Sequence, residues 1–368
     1  MKLIISRRDF LNSLQKLNRI IPSRSTLPIL NCILFEVKNN KLILRATDLE
    51  QTIKIHLNIK SDYEGKLALP IKTLLEITQA VDEEILTLNI KESYKIDVIT
   101  SLGVYSIMGK NPLEFPEDPK PENPTVLEIS KNELKDILSD TLYATSKDEM
   151  KISLQGVFFK IKNKQITAVA TDGFRLVKRV TILKKEVDYE GEVIIPSKFL
   201  TVLQSYLTNE KITFMLSLNH VEVVNENTTF LSRIIKERYP DYESIIPENN
   251  NKTVLINRED LLSAVKRVSI FSNRTTKQIS LTFDDNSTTI KTEDPEKVNS
   301  AKETVNCDYK SDPLTIGFNS NYLKEILNNF ENNEIYINLD TPLTAGMILP
   351  NKNKKNTELI SLLMPIRI

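Results

Sequence analysis

Apolar positions recur at helical spacing in three stretches of the chain, each opened by a residue that can cap a helix. The stretches begin at Ser6, Ser130 and Asn257. In the first stretch, the apolar face consists of Phe10, Leu14, Leu17 and Ile21. Asp or Glu follows soon after each cap, where a carboxylate complements the positive end of a helix. The pattern predicts three capped amphipathic helices.

Two further kinds of segment recur, and both are typical of strands. The first is a β-run that ends in a Thr-Asp or Glu-Asp step, at 42–48, 166–172 and 288–294. The second is a short strand that enters a helix through Pro or Asn, at 67–74, 193–200 and 315–323. Proline suits that junction because the first turn of a helix has no intrahelical use for its N–H.

The spacing of these copies indicates an internal repeat. Asp48 and Asp172 are 124 residues apart and Asp172 and Asp294 are 122 apart, close to a third of the 368-residue chain. Hydrophilic stretches rich in Pro or Asn lie between the copies, at 116–124 and 247–252, and read as linkers. We therefore predict an α+β protein. It has three similar domains in tandem, each with two helices and antiparallel β-sheets, over 1–122, 123–250 and 251–368.

The composition excludes several classes of protein. Lys plus Arg number 49, as do Asp plus Glu, so bulk positive charge cannot drive binding to phosphates. The eight glycines form neither of the common nucleotide-binding loops. The two His and two Cys lie far apart, without zinc-ligand spacing, so we expect no metal and no cofactor.

Cysteine usage and hydropathy bear on the compartment. A Cys32–Cys307 disulfide is the less favoured interpretation, because so few cysteines fit a reducing cytosol. No stretch approaches the roughly 18 apolar residues that a membrane span needs, and the amino terminus does not have the pattern of a signal peptide. We expect a cytoplasmic protein without a membrane segment.

Three copies of one module suit a curved or closed surface better than an enzyme. The six predicted helices carry four more positive than negative charges, although the chain is neutral overall. This excess favours a slightly basic, helix-lined face, and ordinary solvated helix surfaces are the alternative.

A hydrolase that uses Asp48, Asp172 and Asp294 is an alternative from another class. It is disfavoured because these aspartates recur once per repeat, as turn-stabilising residues do. No His or second carboxylate accompanies all three. We expect no catalytic residue and no enzyme.

Several segments closely resemble the bacterial DNA polymerase III β subunit family, the β sliding clamps. They are 24–30, 47–50, 170–176, 238–242 and 363–368. The resemblance follows the whole chain in order. It implies a DNA clamp fold and a homodimeric, head-to-tail ring around double-stranded DNA, which it binds without sequence preference as a processivity factor in DNA replication. The neutral charge balance fits this role, because a ring that slides needs only weak phosphate contacts.

The implied partners are the DNA polymerase III catalytic subunit, an ATP-driven clamp loader and other proteins with a clamp-binding motif. The runner-up interpretation is a non-encircling β-rich scaffold or adaptor built from the same modules. The two are distinguished by the mass of the native particle, since a ring requires two chains.

The resemblance implies DNA contacts by four basic side chains. Arg24 follows the first helix, and Lys147 lies in a loop that is near DNA in the family. Lys72 and Lys198 occupy matching places in the strand-into-helix repeat. For each lysine the alternative is a solvated surface position.

The resemblance also implies a pocket between the second and third domains that accepts short apolar peptides. The matching positions are Leu154, Thr171, Gly173, Phe174, Arg175, Leu176, Pro240, Ile245, Asn319, Tyr322, Pro342, Leu362, Met364, Pro365 and Arg367. Aliphatic side chains and Met would form an adaptable slot, while Arg175 and Asn319 would fix polar atoms of the peptide. Phe174 replaces a His common in the family and Ser244 a frequent Arg, so peptide preference would differ.

Plain domain core is the alternative for Leu154, Leu176 and Leu362. The carboxy-terminal tail, 364–368, is expected to leave its strand at Pro365 and line a surface groove, because Pro cannot donate a ladder hydrogen bond.

For the dimer, the resemblance implies that a strand of the first domain pairs with one of the third. The apolar residues at this seam are Tyr105, Ile107, Ile270 and Phe271. Core burial is the alternative for the last two, which close a helix pattern. Glu296 and Glu303 would be its acidic residues, while Leu102 and Val104 occupy the side that the resemblance implies to be basic. We therefore expect the seam to depend on apolar packing and strand pairing.

Overall fold

The computed structural model describes residues 2–62, 64–119, 121, 123–184, 189–294 and 299–368. Within these ranges the chain repeats one order of elements three times: a strand, a helix, four strands, a second helix and three strands. The first copy has one additional two-residue strand. The threefold α+β repeat predicted from the sequence is therefore confirmed, whereas the three domain boundaries stay predictions.

The first copy contains β1 (Lys2–Ser6), α1 (Arg7–Asn18), β2 (Cys32–Lys38), β3 (Lys41–Thr47), β4 (Gln51–Asn58), β5 (Lys60–Ser61), β6 (Gly65–Pro70), α2 (Ile71–Ala80), β7 (Ile85–Ile90), β8 (Lys95–Ile99) and β9 (Val104–Met108). The second contains β10 (Thr125–Ser130), α3 (Lys131–Thr141), β11 (Gly156–Lys162), β12 (Gln165–Thr171), β13 (Arg175–Ile182), β14 (Gly191–Pro196), α4 (Ser197–Gln204), β15 (Lys211–Leu216), β16 (His220–Asn225) and β17 (Thr228–Arg233). The third contains β18 (Lys252–Asn257), α5 (Arg258–Val268), β19 (Gln278–Asp284), β20 (Ser287–Asp294), β21 (Asn299–Asp308), β22 (Leu314–Asn319), α6 (Ser320–Asn329), β23 (Glu334–Leu339), β24 (Gly346–Pro350) and β25 (Thr357–Leu363).

The predicted helix caps at Ser6 and Asn257 are confirmed. The Ser6 hydroxyl accepts a hydrogen bond from the Asp9 N–H, and the Asn257 side chain accepts from the two N–H groups that follow Arg258. These bonds satisfy donors that have no partner within the helix. The apolar face of α1 differs from the prediction at one position. The helix ends at Asn18, so Ile20 is buried where Ile21 was expected.

The chain divides into two compact units that do not follow the repeat boundaries. The first comprises Met1–Lys131 with Val202–Ile234, and the second comprises Asn132–Thr201 with Ile235–Ile368. The first unit holds a five-stranded sheet, β5-β1-β7-β8-β9, and an eight-stranded sheet, β10-β15-β16-β17-β4-β3-β2-β6. The second holds a twelve-stranded sheet, β14-β11-β12-β13-β25-β24-β23-β18-β21-β20-β19-β22.

The units cut across the repeats because one strand pairing joins consecutive copies. The strand after the Thr-Asp turn pairs with the last strand of the following copy. Thus β4 pairs with β17 and β13 pairs with β25, both antiparallel. In the third copy, residues 299–306 of β21 pair on one side only within the described chain, with β20.

Candidate functional site

A small apolar cluster lies apart from the main core on one face of the second unit's sheet. Its buried members are Leu154, Phe158, Val169, Leu176, Ile194, Tyr239, Tyr242 and Leu362. Cross-strand pairing places Phe158 beside Val169 and Leu176 beside Leu362, because paired residues project from the same face of a sheet. We call this cluster the apolar slot.

Two tyrosines of the segment after β17 form one wall of the apolar slot. The Tyr239 ring stacks on Phe158, with centroids 4.9 Å apart, and Tyr242 lies 5.8 Å from the same ring. Burial, assisted by the Glu243 carboxylate, raises the pKa of Tyr242 to about 12, and burial also raises the pKa of Tyr239. Both phenols are therefore neutral at physiological pH, and the wall remains uncharged.

The Thr-Asp turn at 171–175 shapes the rim of the apolar slot. The Asp172 carboxylate accepts hydrogen bonds from the N–H groups of Phe174 and Arg175, at 2.9 and 3.1 Å. Gly173 has φ of +91°, a conformation that favours glycine. Asp48 accepts two equivalent bonds in the first unit, from Glu50 and Gln51. The first two aspartates thus have the turn-stabilising role expected of them.

Five side chains stack in series along this rim. The Lys151 ammonium lies 5.4 Å from the Phe174 ring, which stacks on Tyr322 at 5.8 Å with an interplanar angle of 15°. The Arg175 guanidinium lies 4.8 Å from Tyr322 and 5.2 Å from Tyr143. Cations over ring faces and offset aromatic pairs are attractive, so the series holds the rim in one arrangement.

Arg175 and Asn319, which are expected from the resemblance to fix polar atoms of a peptide, both contact other residues of the chain. Arg175 is 6% exposed; its guanidinium contacts Glu325, donates to the Tyr143 carbonyl and has Nε 3.3 Å from the Asp172 carboxylate. The Asn319 side chain caps α6 and donates to the Thr276 carbonyl. Their peptide-fixing role stays a prediction.

The carboxy-terminal tail is fixed by backbone pairing. The strand β25 ends at Leu363, the Met364 N–H donates to the Phe174 carbonyl, and the Ile366 N–H donates to Gly317 on β22, each at 2.9 Å. A Cβ on Gly317 would meet the Ile366 carbonyl oxygen at 2.5 Å, so glycine permits this close approach. Met364 is 40% exposed.

The remaining predicted pocket residues divide into three groups. Leu154, Leu176 and Leu362 are buried, so the domain-core alternative holds for them, although they form the floor of the apolar slot. Pro240, Ile245 and Pro342 are exposed, and it is Ile246, next to Ile245, that packs against the cluster. Thr171 and Gly173 belong to the turn, and Pro365 and Arg367 to the tail.

Sequence reasoning did not single out several members of the slot. They are Phe158, Val169, Ile194, Met347 and Ile360. The signal available for them was the pattern of apolar residues along β11, β12, β14, β24 and β25. That pattern is weak because both faces of these central strands are largely apolar.

The four predicted DNA-contacting residues are all exposed. Lys72 and Lys198 are the second residues of α2 and α4, which confirms that they occupy matching places in the repeat. Arg24 follows α1, and Lys147 lies between α3 and β11. Their contact with DNA stays a prediction.

The seam residues need one correction. Ile107 is 5% exposed and packs in the first unit, so its side chain is not available to a partner. The neighbouring strand positions Val104 and Met108 are exposed instead. Tyr105 is 39% exposed, and Ile270 and Phe271 are 77% and 43% exposed, so the core-burial alternative for the last two is wrong.

The acidic residues of the seam are only partly described. Glu303 forms a two-bond ion pair with Arg267 of the same chain, and this hydrogen bonding lowers the pKa of the Glu303 carboxyl. Glu296 lies outside the described residues.

No grouping of three metal-ligating side chains occurs among the described residues. In the same part of the chain, no helix has the length and apolar character of a membrane span.

Comparisons with known proteins agree over the whole chain. Models of the DNA polymerase III beta subunit match its amino-terminal domain at 1–117, its central domain at 128–241 and its carboxy-terminal domain at 243–367. The chain is 28% identical over 379 residues to a beta sliding clamp of Staphylococcus epidermidis, covering 100% of this chain and 99% of that protein. The beta sliding clamp of Haemophilus influenzae is 26% identical over 372 residues, with 100% of both chains covered.

Solved structures show the same similarity. The DnaN sliding clamp of Bartonella birtlesii bound to griselimycin superposes with a TM-score of 0.94 at 27% identity, and both chains are covered completely. The sliding clamp of Bacillus subtilis superposes with a TM-score of 0.94 at 22% identity, covering 100% of this chain and 99% of that one, which supports the fold.

Proposed function

Because the chain belongs to the DNA polymerase III beta subunit family and is a sliding clamp, we propose that two copies close head to tail into a ring around duplex DNA. The ring tethers the replicative polymerase, and the apolar slot is where partner peptides bind. The ring acts by position and carries out no turnover of its own. Its place is the cytoplasm, with the chromosome.

The proposed ring rests on a strand pairing that the third copy does not make among the described residues. In the first two copies, the strand after the Thr-Asp turn pairs with the last strand of the next copy. In the third, β21 presents residues 299–306 without that neighbour, and β9, the last strand of the first copy, is an edge strand. A second chain supplies the missing partner when its β9 pairs with β21.

The exposed side chains near these two edges support the same seam. Val104, Tyr105 and Met108 on β9, and Ile270 and Phe271 after α5, are exposed apolar residues. Unpaired strand edges and apolar surface are costly to leave in water, and pairing satisfies both. The contact is heterologous, so it closes at two copies only if the geometry completes a ring.

The apolar slot fits the peptides expected from the family resemblance. It offers buried aliphatic and aromatic surface, a neutral tyrosine wall and the half-exposed Met364. A short segment with a Gln and two or three large apolar side chains would gain most of its affinity from this surface. The DNA polymerase III catalytic subunit, the clamp loader and other proteins with a clamp-binding motif are the proposed partners.

Topological retention on DNA tests the proposal. After the clamp loader places the protein on a nicked circular DNA, it should stay bound through a high-salt wash, because salt weakens phosphate contacts and leaves a closed ring intact. Linearising the circle should release it. Equal retention on circular and linear DNA, with a steep salt dependence, would favour the non-encircling scaffold.

A seam variant provides the matched control. Val104→Glu combined with Phe271→Glu places charges in the proposed seam. Burying an unpaired charge there should weaken association of the two chains by at least about 2 kcal/mol. This variant should run near the 42.1 kDa of one chain, whereas the unmodified protein should have twice that mass. Retention on the circle should be lost with the dimer. A dimer that survives both changes would place the interface elsewhere.

A further inference from the structure

Lys178 lies where the apolar slot meets a polar groove on the same face of the second unit. The groove has a volume of about 530 Å³ and follows β11, β12, β13 and β25. Its charged walls are Lys160, Lys178, Glu243 and Glu358, and Tyr242 stands at its end. Across the sheet, Lys178 pairs with Val169, a member of the slot, and with Ile360, which packs against it.

In the described part of the chain, the Lys178 ammonium has no carboxylate within ion-pair distance and no recorded hydrogen bond. The nearby charged groups are differently placed. Lys160 is 3.3 Å from the Glu192 carboxylate, and the Glu243 carboxylate accepts a hydrogen bond from Tyr242. Lys178 is therefore a half-buried cation beside apolar surface, where a charge is attracted to an anion more strongly than in bulk water.

The first unit contains the same position with an anion already in place. Lys54 lies 124 residues before Lys178, in the matching strand β4. Its ammonium is 2.8 Å from the carboxylate of Asp118, which also pairs with Arg45 at 2.7 Å. Asp118 lies 124 residues before Tyr242, in the segment that follows β9 as Tyr242 follows β17. In that copy the chain supplies its own carboxylate to the lysine.

We propose that Lys178 binds a carboxylate of the partner peptide, as Lys54 binds that of Asp118. The clamp thereby selects peptides that carry an acidic residue beside their apolar anchors. This inference rests on the proposed function, because it requires a peptide in the apolar slot. The substitution of Tyr242 for the aspartate of the other copy has two effects, since it adds apolar wall and leaves the lysine free for a ligand.

Peptide titrations on the full-length dimer test the assignment. The probes are short fluorescein-labelled peptides with a Gln and three large apolar residues, in which Glu or Gln is placed in turn at each remaining position. At one position the Glu peptide should bind unmodified protein about threefold to fivefold more tightly than the Gln peptide. That preference should vanish in Lys178→Gln, reverse in Lys178→Glu, and weaken with added salt.

Lys160→Gln is the matched control, because this lysine is on the same face and already has an anionic partner. It should keep the preference for Glu. The assignment is overturned if Glu and Gln peptides bind equally at every position, or if the preference survives Lys178→Gln. In either case the peptides without Glu still bind, and the proposed peptide site in the apolar slot is retained. If no peptide without Glu binds the unmodified dimer, the proposed peptide site is wrong and the role of Lys178 is wrong with it.

Discussion

Matching strands of the two units carry an apolar slot in one unit and a set of ion pairs in the other. The slot in the second unit uses Phe158, Val169, Leu176, Tyr239 and Tyr242. The residues 124 positions earlier, in the first unit, are Leu34, Arg45, Thr52, Phe115 and Asp118. Tyr239 and Phe115 are both buried aromatic residues. The principal differences are Arg45 in place of Val169 and Asp118 in place of Tyr242.

Arg45 and Asp118 close the frame of the first unit. The Arg45 guanidinium lies 5.0 Å from the Phe115 ring, donates to the Pro116 carbonyl at 2.7 Å and pairs with Asp118. These contacts fix the segment after β9 over the sheet. In the second unit, Val169 and Tyr242 cannot form these contacts, and the equivalent surface is where we propose that a peptide binds. Two substitutions thus distinguish the ion-paired frame of the first unit from the proposed binding site of the second.

The largest effect is expected from replacing Arg175, a buried charged residue, because the matching residue of the first unit is the uncharged Gln51. Arg175→Met should cost about 3 kcal/mol of unfolding free energy, because it removes the buried cation paired with the Asp172 carboxylate and leaves the Tyr143 carbonyl without its guanidinium donor. Gln51→Met, the matched change in the first unit, should cost about 1 kcal/mol, since no buried charge is orphaned. Urea denaturation followed by tyrosine fluorescence compares the two variants. Equal losses would mean that Arg175 contributes packing alone.

The next test gives the second unit the aspartate that the first unit has at the matching position. Tyr242→Asp removes an aromatic wall and places a carboxylate beside Phe158, within reach of Lys178. Peptide affinity should fall about thirtyfold, or ~2 kcal/mol, through lost apolar contact and competition for the lysine. Asp118→Asn in the first unit should leave peptide affinity unchanged. Anisotropy titrations decide, and an unaffected Tyr242→Asp variant would remove that residue from the slot.

The third prediction concerns deletion of the tail, residues 364–368, which follows β25. Affinity for a peptide with a Gln and large apolar residues should fall at least about tenfold, or ~1.4 kcal/mol, because the exposed Met364, bonded to the Phe174 carbonyl, belongs to the proposed peptide site. Native mass and retention on circular DNA should be nearly unchanged. Equal peptide affinity in the truncated and full-length dimers would show that the tail is only the end of the last strand.

The smallest effect is expected at the rim. Phe174→Ala breaks the stack between Lys151 and Tyr322, so peptide affinity should fall about threefold, or ~0.7 kcal/mol. Glu50 lies at the matching position of the first unit, and Glu50→Ala should have no effect on the same titration. If both variants bind peptide equally well, the stack does not contribute to binding.

The repeat and the turn role of two aspartates could be predicted because their signals are local and occur several times. A Thr-Asp step after a β-run, spaced by about a third of the chain, specifies a turn wherever it occurs. The capping residues Ser6 and Asn257 are equally local. A binding role for Leu176 and Leu362 was harder to predict from the sequence, because both residues have the pattern of core residues. Both are buried, and contact with a peptide is part of the proposal.

Other features depend on contacts between distant parts of the chain. Arg175 could not be assigned to the frame, because its partner Glu325 is 150 residues away. Ile107 was misplaced because the short strand β9 is mostly apolar on both faces, and only packing decides which side is buried. The division into two units was not visible either, since it follows from pairing between copies, such as β4 with β17.

The single bridge between the tail and β22 has a consequence for solubility. Three of the strands that end a sheet are β6, β14 and β22. Each forms a single bridge with a residue that follows the last strand of its copy: Lys110, Ile235 and Ile366. An open strand edge is a template for uncontrolled stacking with other chains, and a crossing segment interrupts it. The β9 and β21 edges have no such guard along 104–108 and 299–306 in the described chain. The crossing segments therefore remove three of the templates on which chains could stack into fibres, while the two edges of the proposed seam stay open.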